Sequence, residues 1–194
     1  MTWSIKQTEP PAAWPVSLDD VLSNSHINRG VEDALIDRLI RTATEHVESV
    51  SWRALITQTF EFRLDRFPSG AVLAIPRPPL QSITSIEYTR ADGTTGTVVA
   101  ADYVLDTAST PGRVALKDTV DWSGDDLAPV GAVVVTFVAG YGDLATDVPE
   151  RYRRGIAMLA GFLFENRELP IAVAAGAIGL EAIIGDRVRA VYGE

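Results

Sequence analysis

The chain has 194 residues, 46% of them hydrophobic, with 17 basic and 26 acidic side chains and a formal net charge of −9. That length and apolar fraction suit a folded domain of ordinary size and exclude a disordered chain. The acidic balance argues against a duplex-DNA reader, which neutralises phosphates with Lys and Arg, but suits a surface past which DNA moves without sticking. There is no cysteine, so disulfides, thiolate metal sites and a cysteine nucleophile are excluded.

The opening MTWSIKQTEPPAAWP lacks an apolar core of signal-peptide length and, being proline-rich, reads as an extended lead-in. Ser17 is placed to cap a short helix through Leu18–Leu22, with acidic residues in its first turn where the helix dipole favours them. A longer helix is expected from about Val31 to Ser51. Its apolar residues Leu35, Ile36, Leu39, Ile40, Ala43, Val47 and Val50 recur three and four apart.

The period then changes. Phe60, Phe62 and Leu64 alternate with Glu61, Arg63 and Asp65, the pattern of a half-buried strand. Short strands follow at Ala71–Ile75, Ile83–Thr89, Thr97–Val99, Tyr103–Leu105 and Arg113–Leu116. They are separated by turn residues that include the hairpin signal Asp92-Gly93. Pro76-Arg77-Pro78-Pro79 cannot donate to a ladder and reads as a rigid edge. The longest apolar strand, Ala132–Val138, is expected to be central. A second helix starts at Pro149 and carries the stripe Tyr152, Ile156, Leu159, Ala160, Leu163 and Phe164. Leu180, Ile183, Ile184, Val188 and Val191 again recur at helical spacing, interrupted by Gly185. No stretch approaches the roughly 18 apolar residues of a membrane span. The expected class is α+β: a small α-helical bundle with an inserted antiparallel β block and a C-terminal arm. The boundaries are 1–55 for the N-terminal arm and core helices, 56–143 for the β insertion, 144–170 for the returning helix and 171–194 for the arm.

Chemistry is sparse. Phe137-Val138-Ala139-Gly140-Tyr141-Gly142-Asp143 sits between a strand and a helix, the ingredients of a phosphate cradle. It has neither the third glycine of a dinucleotide fingerprint nor the Lys-Ser/Thr of a Walker loop, so the glycines are read as a turn out of the sheet. His26 and His46 are the only histidines. Neither has a partner at three or four residues as helix-borne metal ligands do, although Glu45 and Glu48 flank His46. Asp118, Asp121, Asp125 and Asp126 fall in a loop, where acids serve solubility and turns. Their order is not that of an EF-hand. Trp52, Phe60, Phe62 and Phe67 are read as core, since a single-strand-binding surface would interleave more basic residues than Arg53, Arg63 and Arg66. Arg151, Arg153 and Arg154 form a basic cluster at a helix start. They are read either as a solvated face or as an interface with an acidic neighbour such as a second copy.

Several ordered strings carry a resemblance. They are Glu32-Asp33-Ala34-Leu35-Ile36, Ala54-Leu55-Ile56-Thr57-Gln58-Thr59, Arg77-Pro78-Pro79-Leu80-Gln81-Ser82-Ile83, Asp92-Gly93-Thr94, Tyr103-Val104-Leu105-Asp106, Pro111-Gly112-Arg113-Val114, FVAGYGD, Val148-Pro149-Glu150 and Glu165-Asn166-Arg167-Glu168. In this order, over about Pro15 to Glu168, the chain resembles the head–tail connector, or adaptor, proteins of tailed bacteriophages and phage-derived gene transfer agents. It departs from them at Ser23–Gly30 and is only loosely similar from Gly176 to Glu194.

The resemblance implies a structural protein with no enzymatic activity, no cofactor and no membrane. The protein would be made in the bacterial cytoplasm and placed at the head–tail junction of a virion or phage-like particle. It further implies a homo-oligomeric ring of about twelve copies. Such a ring joins the portal protein to a stopper or tail-completion protein and extends a channel through which DNA passes without sequence-specific binding. On this reading Leu180, Ile183, Ile184, Val188 and Tyr192 dock on the portal, and Arg151, Arg153 and Arg154 serve a subunit interface. The alternative is a non-catalytic, β-rich carbohydrate- or ligand-binding module, which would show an exposed aromatic pair in a groove on a β face. An enzyme, the third reading, would show a convergent acid/base pair in a deep pocket.

Overall fold

A computed structural model describes residues 2–25, 30, 32–117, 122 and 126–185. They divide into two compact units. The β unit takes residues 2–10 and 57–140, and the helical unit takes residues 11–56 and the described chain from Tyr141 onward.

The β unit holds eight strands: β1 (Trp3–Glu9), β2 (Gln58–Leu64), β3 (Val72–Ala74), β4 (Leu80–Thr89), β5 (Thr95–Thr97), β6 (Tyr103–Asp106), β7 (Arg113–Leu116) and β8 (Val133–Ala139). One sheet has the order β1-β2-β8-β4-β5 and the other β3-β7-β6, with every pairing antiparallel. Central placement of β8 follows from its Val-rich run, buried at alternate positions. Phe60, Phe62 and Leu64 of β2 face Phe137, Val135 and Val133 of β8 in register. All six are buried, and the Phe60 and Phe137 rings stack at 5.5 Å. These cross-strand pairs fix the register, since a slip of one residue would turn the whole apolar set outward.

The proline-rich opening is not only a lead-in. Trp3–Glu9 pairs with β2, setting Ile5 opposite Phe62 and Trp3 opposite Leu64. The Trp3 ring meets Phe62 edge-on at 6.1 Å.

The helical unit contains α1 (Leu18–Ser25), α2 (Asp33–Ser51), α3 (Glu150–Glu165), α4 (Ile171–Ala177) and α5 (Leu180–Ile184). Ser17 caps α1 as its sequence suggests, and the cap is reciprocal. The Ser17 Oγ accepts the Asp20 N–H at 3.2 Å, while Asp20 Oδ2 accepts the Ser17 N–H at 2.9 Å. The Ser17 N–H and then the Ser17 hydroxyl, which donates to Asp20 Oδ2 at 2.7 Å, hold the Asp20 carboxyl below its ordinary value. The buried face of α2 is Ile36, Ile40, Ala43, Thr44, Val47 and Ser51, with the two hydroxyls bonded back to the carbonyls of Ile40 and Val47. Trp52, in the left-handed region at φ 58°, ends the helix.

That face meets Tyr152, Ile156, Leu159 and Leu163 of α3 in one core. The first part of the C-terminal arm is folded into the same core as α4 and α5, through Ala174, Ala175, Leu180 and Ile184. Gly155 of α3 makes room for α5. A Cβ there would lie 3.0 Å from Leu180 Cδ1 and 3.3 Å from Ile184 Cγ2. Gly155→Val is therefore expected to cost about 1–3 kcal/mol by overpacking and to loosen α5. A lowered Tm together with new proteolytic cleavage between Ile178 and Gly185 is the expected readout, and unchanged cleavage would contradict this packing.

Candidate functional site

The FVAGYGD segment is a joint. β8 ends at Ala139, and Gly140 leaves the sheet at φ 140°, a conformation that favours glycine. Its N–H donates to the Pro79 carbonyl at 2.9 Å, and its carbonyl accepts from Gln81 Nε2 at 2.8 Å. Tyr141 donates its N–H to the Leu55 carbonyl at 3.0 Å, and Gly142 forms a parallel bridge with Ile56. A side chain at Gly142 would run into the carboxylate of Asp147, whose Oδ2 accepts the Leu144 N–H at 2.9 Å. The glycines thus answer to turn geometry and close packing, and the N–H groups of Gly140 and Tyr141 are both donated within the protein itself.

The titratable candidates do not converge. His26, Asp118, Asp121 and Asp125 lie outside the described residues. Asp126 is exposed, and its main-chain carbonyl accepts the Ala91 N–H. His46 lines a groove of about 560 Å³ with Val50, Ala172, Ala175, Leu180 and Glu181. Burial holds its imidazole below the ordinary value. Among the described residues, no group of three or more His, Asp or Glu could hold a metal ion, and no helix is long and apolar enough to cross a membrane.

Of the four aromatics read as core, three are buried and Trp52 is half-buried. Phe60, Phe62, Phe67 and Phe137 are buried. Trp122, which the sequence did not single out, stacks on Phe67 at 4.8 Å and donates its indole N–H to the Gly70 carbonyl at 2.8 Å. Tyr88 meets Phe67 edge-on from another side. This cluster ties loops of the β unit together, with Phe67 buried and Tyr88 and Trp122 half-buried around it.

The arginines of α3 separate into different roles. Arg153 is held within the helical unit by Glu150 at 2.9 Å and by the Pro15 carbonyl at 3.2 Å. Arg151 and Arg154 are exposed. The Arg151 guanidinium lies 4.8 Å from the Tyr152 ring centre, and its Nη2 donates to the Tyr152 hydroxyl at 3.2 Å. The arginines therefore share a helix end without acting as one patch.

The expected docking stripe is also divided. Leu180 and Ile184 are 1% and 2% exposed and belong to the core of the helical unit, Ile183 is half-buried, and Val188 and Tyr192 lie outside the described residues. Helical spacing marks the stripe, but sequence alone does not show that α3 offers a glycine face to receive it.

No protein-family model and no curated protein matches the chain. Among solved structures, a chain from the neck of an empty gene transfer agent (GTA) particle, computed with C6 symmetry, is similar with a TM-score of 0.73 at 24% identity. The match covers 100% of this chain and 99% of that one. A chain from the virion of a native GTA particle is similar with a TM-score of 0.74 at 19% identity, covering 97% and 98%. A chain from the neck of a native GTA particle, computed with C12 symmetry, gives 0.67 at 22% identity, covering 100% and 99%. The fold, helical unit and β unit together, is thus shared over its full length with chains of GTA particles.

The position of His46 sets a pH expectation. Its folded pKa lies below the unfolded value of 6.5, so the folded chain prefers the neutral ring. The stability it contributes is fully present above 6.5 and is lost as pH falls through the folded value. Between about pH 7 and about pH 5, the Tm of His46→Gln is expected to fall less than that of the wild type, and parallel curves would contradict the assignment.

Proposed function

We propose that this chain is a structural subunit of a phage-type head–tail connector ring in a tailed phage or gene transfer agent. In this role the ring joins the portal to the stopper or tail and extends the DNA channel, and the chain carries no catalytic activity. The observation that carries this reading is the likeness of the whole chain to chains of GTA necks and virions. The neck structures computed with C6 and C12 symmetry support a ring of copies, since closed symmetry requires a surface that repeats from subunit to subunit. The side-chain chemistry agrees with it, because the glycine joint, the aromatic cluster and most of the α3 contacts serve packing.

The decisive experiment is genetic. A strain lacking the gene is expected to accumulate DNA-filled heads without tails, and restoring the gene is expected to restore tailed particles. Normal tailed particles in the deletion strain would end the proposal.

The finer part concerns the arm. Because Leu180 and Ile184 belong to the core, removing everything from Gly179 onward would mix a folding defect with a docking defect. Stopping the chain after Gly185 removes Val188 and Tyr192 alone from the proposed docking set. That variant is expected to keep the wild-type Tm but to lose capture by portal-bearing heads, and wild-type capture would show that these residues do not dock. The net charge of −9 supports a channel wall that DNA slides past. Tight, salt-sensitive binding of the isolated protein to duplex DNA would contradict it.

A further inference from the structure

The three-stranded sheet of the β unit ends in two edges, β3 on one side and β6 on the other. Both pair antiparallel with β7, so they run parallel to each other. The hydrogen bonds beside the ladders show which main-chain groups each edge turns outward. Ile75 donates its N–H to Gly112, Leu116 to Ala71 and Lys117 to Asp102. Bonded and non-bonded pairs alternate along an antiparallel ladder. The bonded pairs are therefore Leu73 with Val114, Val104 with Ala115 and Asp106 with Arg113. Val72 on one edge, and Tyr103 and Leu105 on the other, point their N–H and C=O groups away from the sheet. Among the described residues these groups have no hydrogen-bond partner.

Both edges are also apolar. Val72, Ala115 and Val104 stand in register as a row across one face. Ala115 is half-buried, while Val72 and Val104, at the two ends of the row, are 47% and 56% exposed. Edge strands are ordinarily guarded by lysine, proline or a bulge. The β6 sequence Tyr103-Val104-Leu105-Asp106 has neither lysine nor proline, and its one acid is engaged by Ser109 and Arg113. By contrast, β1 carries Lys6, and β5 is only three residues long.

We propose that β6 of one copy pairs in parallel with β3 of the next, so that the sheet continues from subunit to subunit. This rests on the ring reading. In a parallel ladder one residue bonds to the two that flank its opposite number. Val72 of the next copy then donates to the Tyr103 carbonyl and accepts the Leu105 N–H. The same pairing seats its side chain beside Val104 and prolongs the row Val72–Ala115–Val104. β3 thus supplies what β6 lacks: outward main-chain groups, the matching direction and an exposed valine on the same face. The two edges are different surfaces of one subunit, so the contact is head-to-tail and can close as a ring.

The test uses the full chain assembled on its portal, and the absence of cysteine leaves no background. Within one copy β7 separates Val72 from Val104 by two strand spacings, about 9.6 Å, too far for a disulfide. Val72→Cys combined with Val104→Cys, oxidised after assembly, is expected to give a ladder of linked copies on a denaturing gel, while each single variant stays monomeric. In parallel, Val104→Lys is expected to keep the wild-type Tm while the assembled fraction falls at least about tenfold. Adding Val72→Glu is expected to restore assembly through an opposite-charge pair across the new ladder. A ring whose double-cysteine copies stay unlinked would overturn the proposal. So would links formed by Val104→Cys alone, which would pair β6 with itself, or links to the portal only. Loss of assembly that merely follows a lowered Tm, or that Val72→Glu does not reverse, would also overturn it. Failure of the wild-type chain to form any ring is a different result: it overturns the connector reading and takes this contact with it.

Discussion

The structure depends on two distant chain segments meeting twice. In the β unit, β2 and β8 are the first and last strands of the inserted segment and lie side by side, so Gln58 is opposite Ala139. In the helical unit, the chain that leaves α2 and the chain that leads into α3 are joined by the Tyr141–Leu55 hydrogen bond and the Ile56–Gly142 bridge. An insertion whose ends are already adjacent adds little strain to its host, and the entropic cost of closing so long a loop grows only slowly with length. This is why α2 and α3 can share one core although the β strands intervene in sequence. It also accounts for the glycines of the joint, where one backbone leaves a sheet and contacts another segment within a few residues.

The parts legible in the sequence are those governed by local period. The stripe of α2, the alternation of β2, the Asp92-Gly93 hairpin and the Ser17 cap depend on neighbours within about one or two turns, and each is found in the structure. The strand β1 was hidden because its partner is more than fifty residues away, because only Trp3 and Ile5 mark its inner face, and because the prolines after it dominate the segment. Helix α4 was hidden for a different reason: Ile171–Ala177 is small and apolar throughout, so it shows no stripe. The stripe of α5 was visible, but not what received it, since a glycine on a helix announces nothing about which neighbour fills the gap. The Tyr141–Tyr152 ring contact, with the Arg151 guanidinium over the Tyr152 ring, was beyond sequence reasoning, because separate segments supply the two rings.

These contacts bear directly on how a ring subunit would use its surface. Most of the large apolar side chains among the described residues are buried in the chain's own two units, so association through the described surface would draw on exposed arginines of α3 and exposed acids of α2, with exposed apolar side chains such as Val104, Val130 and Leu144. A surface of that kind makes contacts that are specific in geometry and sensitive to salt, which suits a component that joins a pre-existing assembly and not one that collapses onto itself in solution.

The most direct test of the central claim, that this chain is a ring-forming neck component, is cryo-electron microscopy of particles purified from cells that express the gene. A closed ring of density is expected at the head–tail junction, into which the helical and β units of this chain fit, with the chain present in the particle by mass spectrometry. Tailed particles that contain no copy of the chain, or contain it only away from the neck, would contradict it.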